Sequence, residues 1–451
     1  MDVIFGVSGL RGVVGNGLTP ELICNYVSSF ANEIPPGTVV IGNDSRISSS
    51  MVKNAVVSSL KSLGFEILDI GITPTPTVQF ITKTKNASGG IAITASHNPE
   101  NWNGLKFIEG NGIFFNEKKI NTIKKNLEKK NFKFQTYDKL GKLTNDAHAK
   151  ELHTNFVLQK INFDRFGKDK LTVAVDACNA AGSEIIPALI ERIGFKVVRL
   201  NCDTNSLFPR NPEPLKENLH YFSDFIGERK DIDIGFALDG DADRVAILDE
   251  KGRYIGEENT LVLASKFFIE HMNPTNKTVV TNLSTTRALD DVVSSLGGKV
   301  IRSKVGEINV VEEMIRTCAS IGGEGNGGVI LPMIQYARDS LSAISLILLG
   351  LSKSGLPLSS IVSGLPRYYM VKDKISISRK SFDNNVNHIK DHFKDYSCND
   401  IDGLKFDLDS SWIHIRPSNT EPIVRIIAES KSMDRSNELV RETKDFMRAL
   451  C

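Results

Sequence analysis

The sequence predicts an α/β protein: three similar α/β domains with mixed, mainly parallel sheets, followed by a C-terminal α+β domain. Three observations predict it. A pattern of apolar strand, polar loop, helix, glycine turn and second strand occurs three times, and the last part of the chain changes to strands with one closing helix. The chain has 451 residues, enough for about three or four domains at roughly 100–200 residues each. Hydrophobic residues make up 41% and charged residues 24%, ordinary globular usage that argues against disordered and fibrous classes.

The first strands of the three copies are TVVIGNDSR from Thr38, LTVAVDACNAAGS from Leu171 and TVVTNLSTTR from Thr278. The matching endings are SLGFEILDI, RIGFKVVRL and SLGGKVIRS, with Gly64, Gly194 and Gly297 where a helix C-cap glycine belongs. Each copy reads as a βα(β) unit, and the repetition favours a shared architecture over chance alternation. After Pro366 the segments MVKDKISIS, LKFDLDSSWIHIRP and PIVRIIAES read as strands and RSNELVRETKDFMRAL as the closing helix. Breaks in periodicity near 145–150, 251–256 and 364–367 place the expected domains at 1–150, 151–252, 253–366 and 367–451.

Lysine and arginine number 55 against 54 acidic residues, so a formal charge of +1 supplies no general attraction to nucleic acid or an anionic membrane. An anionic ligand would need a local cluster of donors. The opening MDVIFGVSGLRG lacks a basic segment followed by an apolar core, and no run of about 18 apolar residues occurs, so a cytoplasmic protein is expected. Six scattered cysteines show no CxxC pairing and read as reduced thiols.

Four stretches can carry chemistry. In IGFALDGDADRVAILDE, Asp239, Asp241 and Asp243 alternate between two apolar strands. Crowded carboxylates repel one another unless a cation sits between them, and an all-oxygen set suits Mg²⁺. A calcium EF-hand is excluded, because Arg244 stands at the sixth loop position and both flanks read as strands. An aspartate nucleophile or a solvated acidic turn are the other readings. In IHIRPSNTEPIVRI, Arg416, Ser418, Asn419, Thr420 and Arg425 lie on a proline-bounded loop between strands, and the arginine fork fits phosphate oxygens. GGEGNGGVI, from Gly322, offers Glu324 and Asn326 to sugar hydroxyls on a glycine backbone that a ligand can approach. ITASHNPENWNGLKF, from Ile93 to Phe107, sets Ser96 and His97 at a strand end, without the GxSxG elbow of a hydrolase. Beside a metal triad and a phosphate loop, a hydroxyl that carries a phosphoryl group accounts for Ser96 better than a turn cap does.

TASHNP, DGDADR, GEGNGG and RPSNTEP, with SGLRG from Ser8, occur in the order found in the α-D-phosphohexomutases, and the chain resembles that family over essentially its whole length. The resemblance implies four domains around a central active-site cleft. It implies that Ser96 is a phosphoserine, its phosphate oxygen and Asp239, Asp241 and Asp243 holding Mg²⁺, and that Arg11, His97, Lys106 and Arg244 line the transfer site. Glu324 and Asn326 would contact the sugar; Arg416, Ser418, Asn419, Thr420 and Arg425 would grip the phosphate that is not transferred. Many members end the sugar loop in GEMSGH or GEQSGH, whereas here Asn326 replaces the serine and Gly328 the histidine. That leaves Lys106 as the expected proton-transfer partner. RPSNTEP also carries Asn419 where many relatives have glycine. The GEGNGG form resembles the archaeal-like branch of phosphoglucosamine mutases, implying interconversion of glucosamine 6-phosphate and glucosamine 1-phosphate with a sugar 1,6-bisphosphate as activator. A phosphoglucomutase/phosphomannomutase is the alternative, and a non-catalytic sugar-phosphate-binding module a third. The expected partner is a small hexose or hexosamine phosphate, with no nucleic acid and no membrane, in a monomer or homodimer.

Overall fold

The structure is a computed structural model that describes residues 3–162, 170–418 and 422–450. The chain divides into two compact units, Met1–Pro274 with Asn326–Ser363, and Thr275–Gly325 with Gly364–Cys451. The expected third domain, 253–366, therefore contributes to both.

The first unit holds two sheets. In the larger, Thr38–Asn43 runs parallel to Glu66–Ile72 on one side and Gly89–Ile93 on the other. Trp102–Glu109 then pairs antiparallel with Gly89–Ile93 and with Gly9–Val14. The Ser96 loop thus joins two adjacent, buried strands of one hairpin. In the smaller sheet, Thr172–Asp176 lies parallel to Lys196–Leu200 and Ile234–Leu238, and Val245–Asp249 closes the edge antiparallel to Ile234–Leu238. Thr172–Asp176, Ile234–Leu238 and Val245–Asp249 are buried at every position, as the near-continuous apolar runs require of strands covered on both faces. The helix Ser340–Ser354, apolar almost all round, is buried for most of its length and packs on Glu258–Met272.

In the second unit, Thr278–Asn282 lies parallel to Lys299–Ser303 and Ile321–Glu324. The C-terminal part is an antiparallel sheet in the order Tyr369–Ile375, Val424–Ser430, Ser411–Pro417, Leu404–Leu408, Ser397–Asn399. Its core gathers Phe406, Ile413, Ile415 and Ile426 with Leu439 and Met447 of the closing helix Met433–Leu450. Gly64, Gly194 and Gly297 all take positive φ (82°, 94° and 73°) at helix ends, so the three repeated turns have the expected cause.

Candidate active site

Ser96 follows the strand Gly89–Ile93, is fully buried, and has the left-handed φ of 52° that non-glycine residues rarely adopt. A buried frame holds it there. Its N–H donates to Thr94 Oγ1 at 2.8 Å, and Thr94 Oγ1 donates to Asp44 Oδ2 at 2.6 Å. Asp44 pairs with Arg46 Nε at 2.9 Å, and Arg46 donates to the carbonyls of Ser96 and Asn98, each at 2.8 Å, and of Pro99 at 2.5 Å. One guanidinium therefore fixes three carbonyls of the loop, and its own charge is balanced by a carboxylate.

The hydroxyl of Ser96 donates to Asp239 Oδ2 at 3.2 Å, with His97 Nδ1 at 3.4 Å. This contact brings the serine loop to the DGDADR turn. The turn can come so close because residue 240 is glycine: a Cβ there would stand 2.5 Å from the Ser96 carbonyl oxygen. Asp239 Oδ1 is tied down by the N–H groups of Asp243 at 3.1 Å and Arg244 at 3.2 Å. Lys106, on the return strand Trp102–Glu109, places Nζ 2.6 Å from Asp241 Oδ2 and 3.1 Å from Asp243 Oδ2. Arg11 donates to Asn98 Oδ1 at 3.1 Å, and Arg244 lies 3.7 Å from Asp243 and 3.8 Å from Glu213.

The three aspartates are buried, and one ligand atom from each falls within 4.8 Å of the others. Asp241 Oδ1 and Asp243 Oδ1 accept no hydrogen bond among the described residues. Buried carboxylate oxygens without a donor are costly, and an oxygen-only set of this kind fits a hard divalent cation such as Mg²⁺. The electrostatics agree. Burial and the neighbouring Asp243 and Asp241 carboxylates push the Asp239 carboxyl well above its ordinary range. Burial pushes Asp243 the same way, but Arg338, Lys106 and Arg244 outweigh it and hold that carboxyl far below. Burial opposes charge on Lys106, yet Asp241 and Asp243 raise its ammonium above the usual lysine range. Burial, with Arg244 and Arg11 beside it, pushes the His97 imidazole down to about 2, so the ring is neutral at physiological pH.

In the second unit, Glu324 ends the strand Ile321–Glu324 and is buried, its Oε1 accepting from Asn282 Nδ2 at 2.9 Å and Gly306 N at 3.0 Å. Arg416 and Arg425 stand directly opposite each other on paired strands. Like charges placed this way are unfavourable unless an anion or acid intervenes, and Asp402 lies 3.4 Å from Arg416. Ser418 N donates to Ile423 O at 2.9 Å and narrows the loop; Asn419 and Thr420 lie outside the described residues. Asn326 belongs to the first unit, where its Oδ1 accepts from Gly328 N at 3.3 Å.

Sequence reading missed three residues that build the site. Arg46 stood in a quoted strand end, but nothing local marks it as the serine-loop clamp. Thr75 donates its hydroxyl to Asp241 Oδ2, and Arg338 donates to Asp243 Oδ2 at 2.7 Å. The IGNDSR and ITPTP strand ends were the available signals for the first two.

Family models match along the chain: "Phosphoglucomutase/phosphomannomutase, alpha/beta/alpha domain I" over residues 2–134, domain II over 151–252, domain III over 256–369 and the C-terminal domain over 372–446. The chain belongs to the phosphoglucomutase/phosphomannomutase family. It shares the family's three similar α/β domains plus a C-terminal domain and its phosphosugar mutase activity, an intramolecular phosphotransfer. It is 35% identical over 448 residues to the "Phosphoglucomutase/phosphomannomutase" of Thermococcus kodakarensis, covering 97% of each chain. To the "Probable phosphoglucosamine mutase" of Pyrococcus horikoshii it is 34% identical, covering 100% of this chain and 99% of that one. Among solved structures, a phosphoglucomutase/phosphomannomutase family protein from Burkholderia thailandensis matches with a TM-score of 0.85 at 25% identity, over 99% of this chain and 96% of that one. No helix among the described residues is long and apolar enough to cross a membrane.

Proposed function

We propose that the protein is a cytoplasmic phosphoglucosamine mutase, interconverting glucosamine 6-phosphate and glucosamine 1-phosphate on the route to UDP-N-acetylglucosamine. The observation that carries the phosphotransfer chemistry is the contact of the Ser96 hydroxyl with Asp239 inside a buried carboxylate cluster. Ser96 is the phosphate carrier. A hydroxyl of the sugar monophosphate attacks the phosphorus of phospho-Ser96, the bond from Oγ to phosphorus breaks, and a sugar 1,6-bisphosphate results. That bisphosphate then presents its other phosphate: the Ser96 oxygen attacks its phosphorus, the bond from that phosphorus to the sugar oxygen breaks, and the sugar oxygen takes the proton the serine gives up, leaving phospho-Ser96 and the isomeric monophosphate.

Asp239, Asp241 and Asp243, with an oxygen of the Ser96 phosphate, would hold Mg²⁺, which supplies charge neutralisation for the transferring group. Arg11 and Arg244 provide further positive charge where negative charge is shared among phosphoryl oxygens. Lys106, kept charged by its two carboxylates, gives a proton to the departing Ser96 oxygen, and the proton lost by the sugar hydroxyl restores it. The neutral His97 ring orients the Ser96 oxygen. Glu324, presented by Asn282 and Gly306, and Asn326 contact the sugar. Arg416, Ser418, Asn419, Thr420 and Arg425 hold the phosphate that is not being transferred.

The choice of glucosamine rests on the GEGNGG loop and on relatives such as the Pyrococcus protein. The similarly close Thermococcus protein, named for glucose and mannose phosphates, supports the second reading, a phosphoglucomutase/phosphomannomutase. Steady-state assays with glucosamine, glucose and mannose 1-phosphates separate them: kcat/KM should be highest for the glucosamine ester, and a larger value for glucose or mannose would overturn the choice.

A further inference from the structure

Gly328 opens the strand Gly328–Ile330 and is buried. A Cβ at this position would lie 2.3 Å from Cδ and 2.9 Å from Cγ of Arg338, and 3.3 Å from Asn326 Oδ1. Gly328 is not among the glycines with positive φ, so space and not backbone conformation demands glycine here. The space goes to the aliphatic stem of Arg338. This residue stands opposite Ile330 in an antiparallel bridge, and the N–H of the next residue, Asp339, donates to Val329 O at 2.8 Å. Arg338 as a whole is only 7% exposed; its stem crosses Gly328, and its guanidinium reaches Asp243 Oδ2 at 2.7 Å.

The same oxygen accepts from Lys106 Nζ at 3.1 Å, so two cations hold Oδ2 while the buried Oδ1 accepts no hydrogen bond among the described residues. The cluster of three carboxylates consequently carries built-in counter-charge. The guanidinium keeps its charge at any working pH, whereas lysine or histidine could lose theirs. A cation this near a carboxylate fixes the carboxylate and repels any second cation bound beside it.

We propose that Gly328 and Arg338 act as one device: the missing side chain lets Arg338 reach Asp243, where it positions that carboxylate for phosphoryl transfer and moderates the cluster's affinity for Mg²⁺. Arg338 is a positioning residue in this scheme, acting through Asp243. The proposal rests on the reading of Asp239, Asp241 and Asp243 as the Mg²⁺ site. It explains why position 328, where the resembled pattern carries histidine, is bare in this chain.

The test is Mg²⁺ titration calorimetry on the dephosphorylated full chain, for wild type, Arg338→Met, Gly328→Ala and the double variant. A methyl group at 328 collides with mid-chain carbons of Arg338, so the guanidinium must be rerouted and both single variants should behave alike. Each should bind Mg²⁺ about tenfold more tightly, because a repelling cation has left. The double variant should bind no more tightly than Arg338→Met, since the two changes remove one interaction. In turnover assays kcat should fall at least about tenfold with KM within about threefold, and Arg338→Lys should recover part of it. Damage to the site would weaken Mg²⁺ binding, the opposite sign. Unchanged or weaker binding in either single variant, or additive effects in the double, would overturn the proposal; if Arg338→Met does not fold, Gly328→Ala alone decides. A wild-type chain that binds no Mg²⁺ would instead sink the metal reading on which the proposal stands.

Discussion

Replacing Arg46 by methionine keeps the unbranched stem of the side chain and removes the guanidinium with its charge and donors, which makes it a direct probe of how Ser96 is held. The wild-type guanidinium donates to the carbonyls of Ser96, Asn98 and Pro99 and pairs with Asp44, with both side chains of that pair wholly buried. Removing one partner of a buried pair typically costs ~3–5 kcal/mol, because the remaining charge is stranded. Asp44 keeps donors in Thr94 and Ser49, at 2.6 and 2.9 Å, which places the expected cost near the lower end, about 3 kcal/mol. The strained φ of 52° at Ser96 persists only while its surroundings enforce it. The assay is hydrogen exchange with mass-spectrometric readout of peptides spanning 93–101, alongside kcat/KM. A loss of about 3 kcal/mol speeds exchange through local opening roughly 100-fold, and turnover should drop by a comparable factor as the nucleophile loses its position. Unchanged protection of that segment together with normal turnover would refute the reasoning.

Three further outcomes are expected. Asp241→Asn should lower Mg²⁺-dependent turnover by orders of magnitude, checked by Mg²⁺ titration of initial rates, whereas an unchanged rate would mark a plain acidic turn. Gly240→Ala pushes a methyl group to 2.5 Å from the Ser96 carbonyl oxygen, so a shift of the order of 1 Å should cost about 100-fold in kcat as measured in the steady state. In the second unit, burial first and then Arg302 pull the Lys405 ammonium down to about 7. The unfolded chain, with an ordinary lysine near ~10.4, then binds more protons between about pH 7 and 10, so stability should rise with pH across that window by up to ~1.4 kcal/mol per unit. Lys405 sits 4.3 Å over the Trp412 ring, so urea unfolding followed by tryptophan fluorescence reports on it, and Lys405→Met should flatten the slope; equal slopes would contradict the cause assigned.

The parts of this molecule that were legible in its sequence are those whose cause is local. Glycines at 64, 194 and 297 end helices because they tolerate positive φ, and that need is written within a few residues of each turn. The alternation of Asp239, Asp241 and Asp243 between apolar runs announced a hairpin that crowds carboxylates. Arg338 was illegible because it meets its aspartate across 95 residues of chain and sits in a stretch with no chemical signature of its own; Thr75 follows a marked strand end, but the aspartate it meets lies 166 residues away. Asn326 shows the converse, since a motif named it for a ligand while its oxygen also serves the turn through Gly328 N.

The central claim is that the Ser96 oxygen carries the phosphate between the two ends of the sugar. Incubating the dephosphorylated enzyme with a ³²P-labelled sugar 1,6-bisphosphate, and then locating the label by peptide mass spectrometry, tests it most directly. Label should appear on Ser96, and should pass to product when unlabelled sugar monophosphate is added, at a rate no slower than turnover. Turnover that proceeds while Ser96 stays unlabelled, or that survives undiminished in Ser96→Ala, would contradict the account.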